Sequence, residues 1–203
     1  SSEIEATVPI GWVDAGHGGL DSGTSGKDGT AEKTINLAIA QKVKDALSLL
    51  GFQVLMTRED DALLNHQEDV SVRQNKRNDI RARLQKIEAT PHCVVLSIHQ
   101  NFYADGKYDG AQVFYNTANT ENQLLAKAVQ TAIVQNLQPE NQRVVKTIGS
   151  EIYLLDHCTK PAIMVECGFM SNQKELSLLK NESYQAKMAF CIAMGLLSYY
   201  NAK

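Results

Sequence analysis

The sequence predicts an α/β fold, a single domain in which helices cover both faces of a sheet. Three observations predict it. Short apolar, β-branched runs alternate with segments of helical periodicity along the chain. Two of those runs, Cys93 to His99 (CVVLSIH) and Ala162 to Cys167 (AIMVEC), are apolar almost throughout, as suits strands buried on both faces. No repeat, low-complexity tract or Pro/Gly-rich linker divides the 203 residues, which include only four prolines. The expectation is one domain over 1–203, with its core over about 8–200.

The elements follow in order. Val8 to Asp14 reads as a buried strand running into a Gly-rich loop over 15–29. Glu32 to Leu50 reads as a helix, because Ile35, Ile39, Val43, Ala46, Leu47 and Leu50 recur at spacings of three and four. Gly51 ends it as the residue just past the cap. Phe52 to Thr57 is a second strand, and residues 71–89 form a polar helix. Cys93 to His99 is the third strand and Gly110 to Tyr115 the fourth. Glu121 to Leu137 is a helix that turns Leu124, Leu125, Ala128, Val129, Ile133 and Leu137 inward. Ile152 to Leu155 reads as a short strand and Ala162 to Cys167 as a buried one. Helices over 173–180 and 183–200 close the chain, the second carrying Tyr184, Met188, Ile192 and Leu196.

Composition excludes several classes of function. The formal net charge is −3, so no nucleic-acid footprint is expected. One basic cluster, Arg73, Lys76, Arg77, Arg81 and Arg83, is spread around its helix by its spacing and reads as a solvated face. No apolar run reaches the roughly 18 residues a membrane-spanning helix needs. Cys93, Cys158, Cys167 and Cys191 lack CxxC spacing, and three of them lie in apolar runs, where they read as free core thiols.

In such a sheet, ligands bind beyond the carboxyl ends of the strands. Three apolar strands carry polar residues there: WVDAGH reaches His17, VVLSIHQN reaches His99 and Asn101, and IMVECGF reaches Glu166. Burying a polar group without a partner costs roughly 1–3 kcal/mol, so their placement calls for a reason, and a shared site is one. His17 lies in Asp14-Ala15-Gly16-His17-Gly18-Gly19, where glycines let the chain turn and keep side chains off the imidazole. That loop matches neither phosphate-binding pattern, and alone it equally fits a turn that happens to hold a His. Glu32 opens a helix, where the dipole by itself favours a carboxylate by roughly 0.3–1 kcal/mol. His99 is the sharper signal, since a His ending a buried strand before Gln100 and Asn101 has few structural reasons, a satisfied core histidine being the alternative.

Together His17, Glu32 and His99 make a two-His, one-carboxylate set, an established zinc set that leaves a fourth position for water. Zinc lowers the pKa of that water to roughly 7. Glu166 is a second carboxylate outside the set, able to take the water proton and pass it to a leaving amine. Asp14 is expected to orient His17 by accepting its other N–H, and Asn101 to hydrogen-bond substrate or a metal ligand. Arg58 is expected to brace a loop, while Gln112 and Lys146 fit either substrate contacts or plain surface. His66 and His92 read as surface residues, and His157–Cys158 lacks the positioned base a thiol nucleophile needs.

The segments DAGHGGLDSGTSG, AEKTINLAIA, LMTRED, SIHQN and VECGFMSN, in that order from about Trp12 to the last helix, resemble the zinc N-acetylmuramoyl-L-alanine amidases of the type 3 family. The resemblance covers nearly the whole chain. It implies a three-layer αβα domain with a mixed, mostly parallel sheet of about six strands. It implies Zn2+ held by His17, Glu32 and His99, with Glu166 as the catalytic carboxylate. The implied reaction is hydrolysis of the amide between N-acetylmuramic acid and L-alanine of the stem peptide, on peptidoglycan or muropeptide. KRNDIRARLQKI, GAQVFYN, PENQRVVK and KPAIMVECGFMSN resemble the spore-cortex branch, which makes muramic-δ-lactam precursors. That implies an extracytoplasmic place in the cell envelope, in the spore cortex or forespore intermembrane space, with a targeting segment outside this sequence. An activating protein partner, which several members need, is a further expectation. The alternatives are a zinc peptidase on the stem peptide and a peptidoglycan-binding or scaffolding protein with little catalysis.

Overall fold

A computed structural model describes residues 8–203. The elements in chain order are β1 (Ile10–Ala15), α1 (Glu32–Leu49), β2 (Gln53–Met56), α2 (Val72–Glu88), β3 (Cys93–Asn101) and β4 (Gln112–Tyr115). They continue with α3 (Glu121–Asn136), β5 (Lys146–Thr147), α4 (Tyr153–His157), β6 (Ala162–Phe169), α5 (Gln173–Leu179) and α6 (Glu182–Asn201). All six strands join one sheet in the order β2-β1-β3-β6-β4-β5. β1 pairs parallel with β2 and β3, and β3 with β6, while β4 runs antiparallel to β6 and parallel to β5. The mixed, mostly parallel αβα sandwich therefore stands as expected.

Alternation along each strand sorts side chains between two cores. Val13, Ala15, Val94, Leu96, Ile98, Ile163, Val165 and Cys167 join the larger core with α1, α3 and α6. Trp12, Cys93, Val95, Ala162 and Met164 face the other way, into the smaller core with Ile87, Leu154 and Leu155. On that second face the strands turn polar as they near their carboxyl ends. Trp12 gives way to Asp14, Val95 to Ser97 and His99, and Met164 to Glu166. The larger core stabilises the sheet along its length; the other face is apolar for one half and chemical for the rest.

Local signals explain the helix ends that flank this region. Ser71 caps α2 by accepting from the Gln74 amide at 3.2 Å. Gly51, with φ 88°, follows α1; its amide donates to Ser48 and that of Phe52 to Leu47, a Schellman ending.

Three expectations need correction. The segment around Ile152–Leu155 is the helix α4, because adjacent Leu154 and Leu155 are both buried in the smaller core. A strand would turn one of them away, whereas a helix can bury both. Leu124 of α3 is 55% exposed; the inward stripe is Leu125, Val129 and Ile133. Buried Gln130 serves β4 instead, accepting from the Val113 amide at 2.8 Å and donating to Ala111. Arg83 is only 1% exposed, so the basic cluster of α2 is not solvated throughout.

Candidate metal centre

Glu32 begins α1 and turns its carboxylate back over the Gly-rich loop. Oε1 accepts from the Gln100 amide (3.1 Å), Asn36 Nδ2 (3.2 Å) and lies 3.0 Å from His99 Nδ1. Oε2 accepts from the Thr24 amide at 2.9 Å and lies 3.3 Å from His17 Nε2. Burial acts to raise the Glu32 pKa, but the two imidazoles overcome this and hold it well below the usual carboxylate range. One ligand atom from each of His17, Glu32 and His99 falls within 4.8 Å of the other two. Among the described residues this is the one such group of three. Two nitrogens and a buried anionic oxygen converging on one point are the donor chemistry zinc takes, so these residues fit the ion.

His17 Nδ1 lies 2.8 Å from Asp21 Oδ2, and Lys76 Nζ of α2 lies 2.6 Å from Asp21 Oδ1. Burial lowers the His17 pKa; Asp21 and Glu32 outweigh it and bring the value to about 9. Gly16 lets His99 approach, because a Cβ there would fall within the His99 imidazole.

Glu166 stands beside His99 in the β3–β6 register, and Gln112 of β4 lies opposite it on the other side. The three form a row across the carboxyl end of the sheet. Oε2 of Glu166 is sealed from solvent and has no hydrogen-bond partner within the protein. Burial raises its pKa to about 7; His99 opposes this and Glu32 adds to it. A carboxyl group poised near neutrality beside a metal-type donor set can both accept and return a proton.

The profile of the N-acetylmuramoyl-L-alanine amidases known as Amidase_3 matches residues 12–198. The chain belongs to that amidase family. A germination-specific N-acetylmuramoyl-L-alanine amidase of Bacillus subtilis is 36% identical over 95% of this chain and 80% of its own length. The CwlD amidase from Clostridioides difficile, solved in complex with the GerS lipoprotein, superposes with a TM-score of 0.93. It shares 37% identity over 96% of this chain and 100% of its own. AmiC2 of Nostoc punctiforme, also an N-acetylmuramoyl-L-alanine amidase, gives 0.81 at 28% identity, over 95% and 97%.

In this member of the amidase family the secondary expectations divide. Asp14 does not reach the His17 ring, whose partner is Asp21; its carboxylate accepts from Thr57, Ser97 and Arg83 at 2.8, 2.5 and 2.8 Å. Burial would raise the Asp14 pKa, yet Arg83 and Ser97 take it down to about 2. Asn101 Oδ1 accepts from the Phe102 amide, and no hydrogen bond joins its side chain to His17, Glu32 or His99. Gln112 donates to the Val144 carbonyl, and Lys146 is exposed. Arg58 does brace a loop, donating to Ala15, Gly16, Lys33 and Asp60 carbonyls. All four cysteines are buried and free, and burial raises the Cys158 thiol to about 12, far from a nucleophile.

Sequence reasoning missed Asp21, Lys76, Asn36 and Arg83. Asn36 left a signal, as a polar residue beside the buried stripe of α1 and one helical turn from Glu32; it ties Glu32 to the Gly16 carbonyl.

Proposed function

We propose that this chain, as one catalytic unit, hydrolyses the amide between the lactyl group of N-acetylmuramic acid and L-alanine of the peptidoglycan stem peptide. The observation that carries this is the converging His17–Glu32–His99 set beside Glu166, whose buried Oε2 has no hydrogen-bond partner, in a chain of this amidase family. His17, His99 and Glu32 would hold Zn2+ between them. Zinc bound there would supply a Lewis acid for the scissile carbonyl and would lower the pKa of water toward neutrality. Glu166 would accept the proton that the attacking water loses. As the C–N bond breaks, Glu166 returns that proton to the departing L-alanine nitrogen, leaving a lactyl carboxylate and a free amine. Asp21 and Asn36 hold His17 and Glu32 in place without entering the reaction.

The likeness to a germination-specific amidase and to a CwlD amidase supports a role outside the cytoplasm, in the spore cortex. There, stripping whole stem peptides precedes muramic-δ-lactam formation. Since that CwlD was solved with the GerS lipoprotein, we also place an activating protein partner with this chain.

Digestion of peptidoglycan and cortex muropeptides by the zinc-loaded protein, with and without candidate partners, tests the reading by mass spectrometry. Intact stem peptides with a free N-terminal L-alanine are expected. Shortened peptides still attached to glycan would make the chain a peptidase instead. Glu166→Gln should keep stoichiometric zinc and lose turnover by at least a hundredfold; a variant retaining activity removes Glu166 from this role.

A further inference from the structure

This inference rests on the metal reading of the site. His17 has φ 62°, a left-handed backbone that a non-glycine residue adopts only when its surroundings enforce it. Backbone bonds between Gly18 and Asp21 close the turn, and α2 holds the His17 carbonyl itself. Arg83 Nη2 donates to the His17 carbonyl at 2.7 Å, and Nη1 to the Ala15 carbonyl at 2.6 Å and Asp14 Oδ1 at 2.8 Å. Its Nε donates to Asp79 Oδ2 at 2.8 Å. One turn-pair earlier, Lys76 reaches Asp21, which holds the His17 ring. Lys76, Asp79 and Arg83 lie three and seven residues apart, on one face of α2. The helix therefore grips His17 at its ring and at its backbone.

We propose that Arg83 is a positioning residue for the metal centre: it fixes the backbone of His17 so that Nε2 points at the shared donor site. Two facts separate this from an ordinary buried ion pair. Asp14 and Asp79 already balance the charge of Arg83, yet its remaining donors go to carbonyls of the ligand loop. Its planar fork also spans Asp14, Ala15 and His17 at once, which a lysine's single ammonium cannot reproduce. Arg83 touches none of the converging donor atoms, so its effect runs through His17.

The test is Arg83→Lys, read by zinc titration of the metal-stripped protein, by the visible spectrum of its cobalt form and by the Tm of the metal-free form. Zinc Kd should rise 10- to 100-fold, on the order seen when partners of metal ligands are lost. The cobalt bands should shift, since His17 is turned. Ile87→Val, in the smaller core on the same helix, serves as the control that lowers Tm without moving Kd. An Arg83→Lys protein with lowered Tm and wild-type zinc affinity would overturn the proposal. If that variant does not fold, Asp79→Ala leaves Arg83 Nε without its acceptor and should weaken zinc binding in the same direction; unchanged affinity there overturns it too. Failure of the wild-type protein to bind zinc would instead sink the metal reading itself.

Discussion

At the scale of single residues, the site depends on how closely side chains may approach one another. Gly16 follows β1, and its amide donates to the Ile98 carbonyl at 3.1 Å, so the backbone is pinned against β3. The missing Cβ leaves the room that the His99 imidazole fills. Gly16→Ala is expected to push His99 out of the donor set while both cores stay intact. Elemental analysis should find well under one zinc per chain, with an unchanged circular dichroism spectrum; stoichiometric zinc would refute the close-approach argument. His17, His99 and Glu166 were legible in the sequence for one physical reason, whereas Glu32, opening a helix, gained meaning only beside the two histidines. Polar residues ending apolar strands are anomalous, and anomaly is visible without coordinates. Asp21 and Arg83 were not legible. Asp21 sits in a loop with no periodicity to orient it, and Arg83 hides among basic neighbours that do face solvent. Asp14 is the acceptor expected for the second N–H of His17, but strand alternation turns it toward Ser97 and Thr57 instead.

At the scale of elements, long periodic segments were legible and short ones were not. α1, α3 and α6 announce themselves by buried stripes, and Gly51 by its place after one of them. β5 has two exposed residues, too few for any pattern, and α4 has five. What periodicity cannot give is how near two helices come. Gly195 of α6 lies in the larger core against α3, and a Cβ there would meet the Val129 Cα at 2.5 Å. The atom it meets is backbone, so no rotamer can relieve the contact. Gly195→Ala would add about 1 kcal/mol of helix propensity. Overpacking typically costs 1–3 kcal/mol, and a backbone clash falls at the upper end of that range. A net loss of about 1–2 kcal/mol is therefore expected in urea unfolding of the metal-free protein, with little change in zinc affinity. A more stable variant would mean that α3 and α6 can separate at small cost.

For the molecule as a whole, these local environments combine into one pH dependence. Asp14, with its pKa lowered from 3.8 to about 2, contributes stability that is present above 3.8 and lost as pH falls through about 2. Glu32 and Asp21 are depressed in the same direction, so all three contribute steadily from mildly acid to neutral pH. His17 and Glu166 act in the opposite sense. The His17 contribution is complete below 6.5 and fades as pH rises through about 9. That of Glu166 is complete below 4.5 and fades as pH rises through about 7, because the folded state keeps its buried carboxyl neutral longer than the unfolded chain does. The metal-free protein should therefore lose stability steadily from about pH 5 to pH 9. Zinc reverses the trend, since it binds only neutral imidazole and must displace the His17 proton. Its affinity should climb roughly tenfold per pH unit up to about 9, and its stabilisation of the fold should climb with it. Calorimetric zinc titrations at pH 7 in two buffers of different ionisation enthalpy should report about one proton released per ion. Scanning calorimetry should show the zinc-loaded and metal-free melting curves diverging with rising pH. If no proton is released and the two curves stay parallel, His17 is neutral in the metal-free fold and the grip of Asp21 and Glu32 on its ring is weaker than their geometry implies.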